Sequence, residues 1–257
     1  MTAGAIRFGK LLKKDLESYK VFMAIFVLGI IAWDIFLWTR IGKWRPDMIV
    51  GLTFLPLLLI AFWALLSPFL KLRQEWDGNH VHLILVLPVP GFYITGAKAL
   101  ATLIEAIILS LIATAGIWYV GILALNPSVS WVVRQMTTAD VVGFAFQALL
   151  MFWLALCAAI VVVQFAYLSG RLYEKFSGLI AIWTLFLSTW VVEQLGALAE
   201  PAFRWLPDFG FKTWQTINDQ LITSVVPVSS APIASVLLGA LILFAAGSWM
   251  LDRQIEI

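Results

Sequence analysis

The sequence predicts an all-α membrane protein with six transmembrane helices, and three observations lead to this fold class. Of its 257 residues, 62% are hydrophobic and 12% are charged, whereas soluble domains are about 45–50% apolar and about 25% charged. The apolar residues form six runs, each near the roughly 20 residues that cross a bilayer as a helix. The runs are continuous and lack the alternation of transmembrane strands, so we expect helices, which pair their own backbone groups in lipid. The runs lie at roughly 21–38, 49–70, 94–125, 141–168, 176–198 and 233–251.

The distribution of basic residues predicts that both termini are cytoplasmic. With the N-terminus inside and six spans, 11 of the 17 Lys and Arg residues fall in inner segments and 6 in outer segments. Basic residues favour the cytoplasmic side of a membrane. We therefore expect one transmembrane domain over residues 1–257, in a cell membrane that is most simply a bacterial cytoplasmic membrane.

Residues 1–20 precede the first run and predict an amphipathic helix. Phe8, Leu11, Leu12, Leu16 and Tyr19 share one face at helical spacing, and the basic residues lie elsewhere on the wheel. This pattern is typical of a helix lying on the inner membrane surface, with lysines near anionic headgroups. A plain positive anchor for the first span accounts for the same pattern equally well.

The link between the second and third runs, residues 71–92, combines charges with a short apolar stretch. Two basic and two acidic residues precede Gly78, and the apolar residues 81–87 are too few to span a bilayer. We expect a short helix beneath the membrane with one face available to a soluble partner. Pro88 and Pro90 predict a break before the third span, which is long enough to tilt or to project into the cytoplasm.

The segment 199–232, between the fifth and sixth runs, predicts an amphipathic helix at the outer surface or dipping into the leaflet. Its apolar residues recur near helical spacing, with polar residues on other faces. In the sixth run, Ser235, Gly239 and Gly247 share a stripe. Small residues let helices approach closely in lipid, so we expect this stripe to serve packing.

The motifs that bear on chemistry are mostly absent from the sequence. There is no phosphate-binding loop of the G-x-x-x-x-G-K-[ST] type and no H-E-x-x-H zinc motif, so we expect no enzyme activity in this chain and no metal site. His80 and His82 are most simply solvated interfacial residues. Glu105 is the sharpest candidate, because it is embedded in the third run. It predicts a polar site on a pathway, or a helix-pairing or interfacial residue.

The topology and the second link resemble the membrane subunits of type 2 ATP-binding-cassette exporters. These subunits share an amphipathic N-terminal helix, six spans, a cytoplasmic link after span two and a long outer segment before span six. At residue level the resemblance rests on an acidic residue, a Gly, an apolar stretch ending in Pro, and a Lys opening span three, with Asn79 where the family often has Thr. The residues that carry it are Glu75, Gly78, Leu83, Leu85, Pro88 and Lys98.

The resemblance implies a coupling helix around residues 73–86 that docks on a separate cytoplasmic ATPase subunit. That partner would bind ATP and Mg²⁺, and this chain would hold no cofactor. A second copy of the chain or a related permease would complete the pathway, in contact with membrane lipid and without nucleic acid. The implied cargo is hydrophobic or amphipathic: a lipid, peptide or antibiotic. The residues implied to couple to the ATPase are Arg73, Glu75, Trp76, Asp77, Gly78 and His80.

Two alternatives belong to other functional classes. A proton-coupled secondary transporter would use Glu105, with Asp34 or Glu193 as further relays. Such transporters usually have more spans or visible repeats, which the sequence does not show. A membrane regulator or assembly scaffold without transport activity fits the polar link as well.

Overall fold

The computed structural model describes residues 3–77, 90–124, 138–172, 176–217 and 220–255. Long helices account for most of these residues, and one two-stranded hairpin lies between the last two of them. The helices are α1 (Ala3–Trp38), α2 (Pro46–Thr53), α3 (Leu55–Asp77), α4 (Gly91–Gly116), α5 (Ile122–Ala124), α6 (Thr138–Arg171), α7 (Ser177–Ala199) and α8 (Ala231–Ile255). A π-helical turn, Ile117–Gly121, joins α4 to α5, and a 3₁₀ turn, Glu200–Phe203, follows α7.

Within the described residues, six helical segments are long and apolar enough to cross a membrane, as the sequence predicted. Their 18-residue windows have mean hydropathies between 1.4 and 2.5, and such runs form helices in lipid because all backbone groups pair internally. The six segments suggest a multi-pass membrane protein. They are Ile6–Trp38, Pro46–Gln74, Gly91–Ala124, Asp140–Arg171, Ser177–Phe203 and Ala231–Arg253.

The N-terminal segment does not form the separate surface helix that the sequence predicted. Helix α1 is continuous from Ala3 to Trp38, with no break near residue 20. Its 36 residues extend about 54 Å at about 1.5 Å per residue. The predicted apolar face instead packs against α4, where the rings of Phe8 and Tyr93 lie 5.8 Å apart. The apolar face of residues 8–19, which the sequence predicted to lie on the membrane, is thus largely a contact between α1 and α4.

The helix of the second span ends later in the sequence than predicted, and the helix of the third span begins earlier. Helix α3 continues to Asp77, so residues 71–77, the first part of the predicted link, are helical and continuous with the second span. Helix α4 begins at Gly91, directly after Pro90, as expected from a residue that lacks a backbone N–H. Residues 78–89, which include most of the predicted coupling segment, lie outside the described residues.

The segment 199–232 contains a β-hairpin where the sequence predicted an amphipathic helix. Strands β1 (Phe209–Ile217) and β2 (Gln220–Val228) pair antiparallel, with Ile217 opposite Gln220. The segment is rich in β-branched residues, which lose rotamer freedom in a helix and favour strands. The hydroxyls of Thr213 and Ser224 form a cross-strand hydrogen bond of 2.7 Å. The fold is therefore predominantly, not entirely, helical.

The helices pack around α4, which contacts α1, α3, α6 and α8. One apolar cluster joins α1, α3, α4 and α6, and in it the rings of Phe22 and Trp63 stack 4.0 Å apart. A second cluster joins α6, α7 and α8. The small residues of α8 do serve packing: a Cβ on Gly239 would lie 3.4 Å from the Val192 backbone, which is the close approach expected between helices in lipid.

One end of the bundle holds the first and the last described residues, and we name it the N/C end. Helices α1, α4 and α7 begin there, and α3, α6 and α8 end there, as shown by contacts such as that between Gly91 N and Asp252 Oδ1. The other end, which we name the far end, carries α2, the π-helical turn and the hairpin. The hairpin lies against the first turns of α6, with the rings of Phe144 and Phe211 5.3 Å apart.

Candidate functional site

Four buried charged side chains lie together toward the N/C end. Asp15 comes from α1, Lys71 from α3, and Lys98 and Glu105 from α4, and each is 2–8% exposed. Two positive and two negative groups balance in formal charge. Burying a charge in a protein interior or a membrane costs several kcal/mol unless it is paired and hydrogen-bonded. We name these four residues the ionic network.

The strongest contact of the ionic network joins α3 to α4. The Nζ atom of Lys71 lies 2.7 Å from Oε1 of Glu105, and it also donates a 3.2 Å hydrogen bond to the hydroxyl of Thr102. The Ser67 hydroxyl lies 3.5 Å from the other carboxylate oxygen of Glu105. The ammonium group sits 5.0 Å from the ring centre of Tyr19, which brings α1 to the same point.

A second ion pair joins α1 to α4. The Nζ atom of Lys98 lies 3.6 Å from Oδ1 of Asp15. Both of these groups are close enough to Lys71 to interact with it electrostatically. The indole of Trp63 also lies near the Glu105 carboxylate, without reaching hydrogen-bonding geometry. The two ion pairs therefore form one coupled group that joins three helices.

The sequence places these groups together by helical spacing. On α4, Thr95, Lys98, Thr102 and Glu105 follow each other at intervals of three and four residues, so they share one face. All four are 0–2% exposed. On α3, Ser67 precedes Lys71 by four residues and meets the same face. A polar stripe on an apolar helix must face protein. Here Lys98, Thr102 and Glu105 face α1 and α3, whereas the Thr95 hydroxyl meets α8.

Of the roles predicted for Glu105, the geometry supports helix pairing best. Both carboxylate oxygens have a contact, one with an ammonium and one with a hydroxyl. Asp34 and Glu193, the other predicted relays, are not brought to it. The Asp34 side chain packs against Gly116, about 16 Å along α4 from Glu105 at about 1.5 Å per residue, and Glu193 is exposed on α7.

A second set of polar contacts attaches the start of α4 to α8 and α6. The backbone N–H of Gly91 donates to Asp252, and the hydroxyls of Thr95 and Ser248 lie 2.9 Å apart. The side-chain amide of Gln164 donates to the Thr95 carbonyl at 3.4 Å. A residue larger than glycine does not fit at Gly91, because a Cβ there would lie 2.7 Å from the Ser248 carbonyl oxygen. The residue that follows the link is thereby fixed against the last helix.

The predicted coupling residues begin immediately beyond the ionic network. Arg73 is exposed on α3, two residues after Lys71. Glu75, Trp76 and Asp77 form the last residues of α3, and Gly78 and His80 lie outside the described residues. The ATPase-coupling role of this set stays a prediction.

An apolar cavity lies toward the far end. It has a volume of about 430 Å³ and lies between α2, α3, α6 and the π-helical turn. Leu57, Ile117, Trp118, Leu149 and Phe152 are among its lining residues. π-helical turns are rare and often occur at functional sites. An apolar chain, and not a polar solute, suits a cavity with these walls.

The fold and the site together define a helical, multi-pass membrane protein whose helices are joined at one end by buried charges. Comparison with known proteins adds no relative: no family model, no curated protein and no solved structure matches this chain.

Proposed function

We propose that this chain is the membrane subunit of an ATP-driven exporter, of the class that type 2 ATP-binding-cassette permeases represent. In this proposal the chain forms the cargo pathway as a dimer, and a separate cytoplasmic subunit binds ATP and Mg²⁺. The N/C end faces the cytoplasm of a bacterial cell. The proposal rests on the resemblance of the sequence and on one structural observation, the polar connections at the N/C end.

That observation concerns the two helices that flank the polar link. Helix α3 leads into the link and α4 leads out of it, and Lys71 and Glu105 join the two helices at 2.7 Å. Asp15 and Lys98 add α1 to the same group. A partner that pushed on the link would therefore move three helices together, which suits a rigid-body transition driven from outside the membrane.

The cargo proposed is hydrophobic or amphipathic. The apolar cavity of about 430 Å³ near the far end supports this class, because its walls offer mainly aliphatic and aromatic surface. The hairpin lies beside that cavity, since Phe144 both lines the cavity and contacts Phe211. A hairpin in this place suits a role in closing the far end of the pathway.

The experiment is co-expression with the ATP-binding-cassette ATPase subunit that the proposal requires a neighbouring open reading frame to encode. We expect the two proteins to purify together, and we expect reconstituted vesicles to hydrolyse ATP faster with the chain than with the ATPase alone. Glu75→Arg and Asp77→Arg should lower both association and stimulated hydrolysis, since charges at an interface rim set orientation and partner choice.

The matched control is Glu17→Arg, the same charge reversal on an exposed carboxylate of α1. It should leave association unchanged. Wild-type association in both link variants would contradict the coupling assignment, and failure of any ATPase to associate would contradict the exporter proposal. In that case Glu105→Gln/Lys71→Met, which leaves no unpaired buried charge, tests the proton-coupled alternative, and that alternative requires loss of pH-driven flux in this variant.

A further inference from the structure

A separate cavity between three helices at the N/C end has a different lining. It has a volume of about 320 Å³ and lies between the ends of α3 and α6 and the beginning of α7. Its volume is about ten times the roughly 30 Å³ that one water molecule occupies in the liquid. The residues that define it are Phe69, Arg73, Tyr167, Arg171, Ser177 and Gly178.

Two guanidinium groups from different helices face this one cavity. Arg73 stands on α3 and is exposed, and Arg171 stands in the last turn of α6 and is half-buried. Arginine stays charged at any physiological pH and carries five N–H donors in a planar fork that matches phosphate oxygens. Two such forks beside one cavity make it a site for an anion with several oxygens.

The position of Arg171 is fixed by its neighbours. Its Nε atom donates a 2.9 Å hydrogen bond to the Tyr167 hydroxyl, and its guanidinium carbon lies 5.2 Å from the centre of that ring. The Tyr167 ring in turn meets Phe69 edge to face, with the centroids 5.0 Å apart. A guanidinium held in this way loses less side-chain entropy when it binds a ligand.

The remaining lining suits the part of a ligand next to the anion. Phe69 and Ala181 contribute apolar surface, and Ser177 contributes a hydroxyl. Ser177 and Gly178 are the first residues of α7, where backbone N–H groups point away from the helix and favour negative charge. The wall thus combines positive charge with apolar surface at the end of apolar helices, where lipid headgroups lie.

From this combination we propose that the cavity binds the phosphate group of an anionic phospholipid. Basic pockets between transmembrane helices bind anionic headgroups by the same chemistry. The two arginines hold the phosphate oxygens, and the apolar wall contacts the first carbons of the lipid. This site lies on the other side of α3 from the ionic network and does not depend on the exporter proposal.

The test uses the full chain purified in neutral detergent. Dioleoyl phosphatidylglycerol and dioleoyl phosphatidylcholine are titrated separately, and bound lipid is counted by native mass spectrometry. We expect tighter binding of phosphatidylglycerol, and we expect Arg73→Gln/Arg171→Gln to weaken it about tenfold or more, since hydrogen bonds to charged groups are the strong ones. The single variant Arg171→Lys keeps the charge and loses the fork, so it should bind with intermediate affinity.

The matched control is Lys13→Gln/Arg253→Gln, which removes two charges from the same end of the bundle outside the cavity. It should bind phosphatidylglycerol within about twofold of wild type, as expected for exposed charges that are screened. Equal binding of the two lipids, or equal loss in both double variants, would overturn the proposal. Inorganic phosphate at low millimolar concentration is added as competitor: displacement of the lipid would assign the site to free phosphate and overturn the lipid assignment.

Discussion

Replacing Glu105 by Gln tests whether the ionic network stabilises the bundle through charge pairing. The substitution keeps the shape of the side chain and its contact with Ser67, but it removes the negative charge 2.7 Å from Lys71 Nζ. Both side chains are 1–2% exposed, so solvent cannot replace the lost partner. We expect Glu105→Gln to be strongly destabilising, and we expect Lys71→Met in the same chain to restore most of the loss.

The size of the destabilisation by Glu105→Gln follows from the distance between the two charges and from their burial. At 2.7 Å and an effective dielectric constant of about 20, the attraction is about 6 kcal/mol. Removing one partner of a buried pair costs about 3–5 kcal/mol in measured cases. Asp15 also interacts with Lys71 and remains in the variant. We therefore expect Glu105→Gln to lower the free energy of unfolding by about 3 kcal/mol, the low end of that range. The double variant buries no unpaired charge at this position and should lie within about 1 kcal/mol of wild type.

The assay is unfolding of the purified chain in mixed micelles with increasing sodium dodecyl sulfate, followed by tryptophan fluorescence. A double-mutant cycle over Lys71 and Glu105 gives the coupling energy directly. Glu17→Gln is the matched control, because Glu17 pairs with Lys13 at 3.8 Å on an exposed face; it should change stability by less than about 0.5 kcal/mol. Wild-type stability of Glu105→Gln, or strictly additive losses in the cycle, would refute charge pairing as the stabilising contact.

Two further predictions concern packing. Gly170→Ala should lower the free energy of unfolding by about 1–3 kcal/mol, because a Cβ there would lie 2.5 Å from the Ser177 carbonyl oxygen. The control is Gly143→Ala on the same helix, where a Cβ would have no atom within 4 Å and should stabilise the protein slightly. Equal effects of the two substitutions would contradict the close approach of α6 and α7. Phe144→Ala should raise the rate of amide hydrogen exchange in β1 about 2- to 13-fold, since an aromatic pair such as Phe144–Phe211 contributes about 0.5–1.5 kcal/mol. The control is Phe146→Ala, on an exposed face of the same helix, which should leave that rate unchanged.

The six spans could be predicted from the sequence because hydropathy alone determines them. A continuous apolar run of 20 residues has few folded alternatives in lipid, so the helices lie where the runs do. The ends of α3 and α4 were less predictable, because polar residues near a span can belong to either the helix or the link. Lys71 shows this: its charge placed it in the link, but pairing with Glu105 allows it to stay in the helix.

The ionic network was only partly visible before the structure. Glu105 stood out as a charge in an apolar run, but its partners lie on two other helices, and sequence distance does not reveal them. A usable pattern was present nonetheless: Thr95, Lys98, Thr102 and Glu105 repeat at helical spacing on one face. That stripe predicts a polar helix–helix contact, although it does not say which helices take part.

In the β-hairpin, the periodicity of the apolar residues and the residue types point to different secondary structures. Apolar residues in 211–225, such as Phe211, Trp214 and Ile217, recur near helical spacing and do not alternate as in a half-buried strand. The high share of Thr, Val and Ile, with Asn218 and Asp219 between two such runs, favours the hairpin. In a short segment between two spans, residue type is a better guide to strand or helix than apolar periodicity is.

The polar contacts divide the bundle into two groups of helices with different connections. Helices α1, α3 and α4 are joined by buried charges, whereas α6, α7 and α8 are joined by close packing at small residues such as Gly239. Between the groups, the described hydrogen bonds include the Thr95–Ser248 bond at the N/C end and a 2.8 Å bond from Trp153 to Ser110 near the middle of the span.

Toward the far end, the boundary between these groups contains the apolar cavity. Moving the groups apart there breaks dispersion contacts, which are individually weak. Moving them apart at the N/C end breaks buried hydrogen bonds, whose loss costs about 1–3 kcal/mol for each unsatisfied group. Any motion of one group against the other is therefore easier at the far end and pivots near the N/C end, close to the link on which a partner subunit would act.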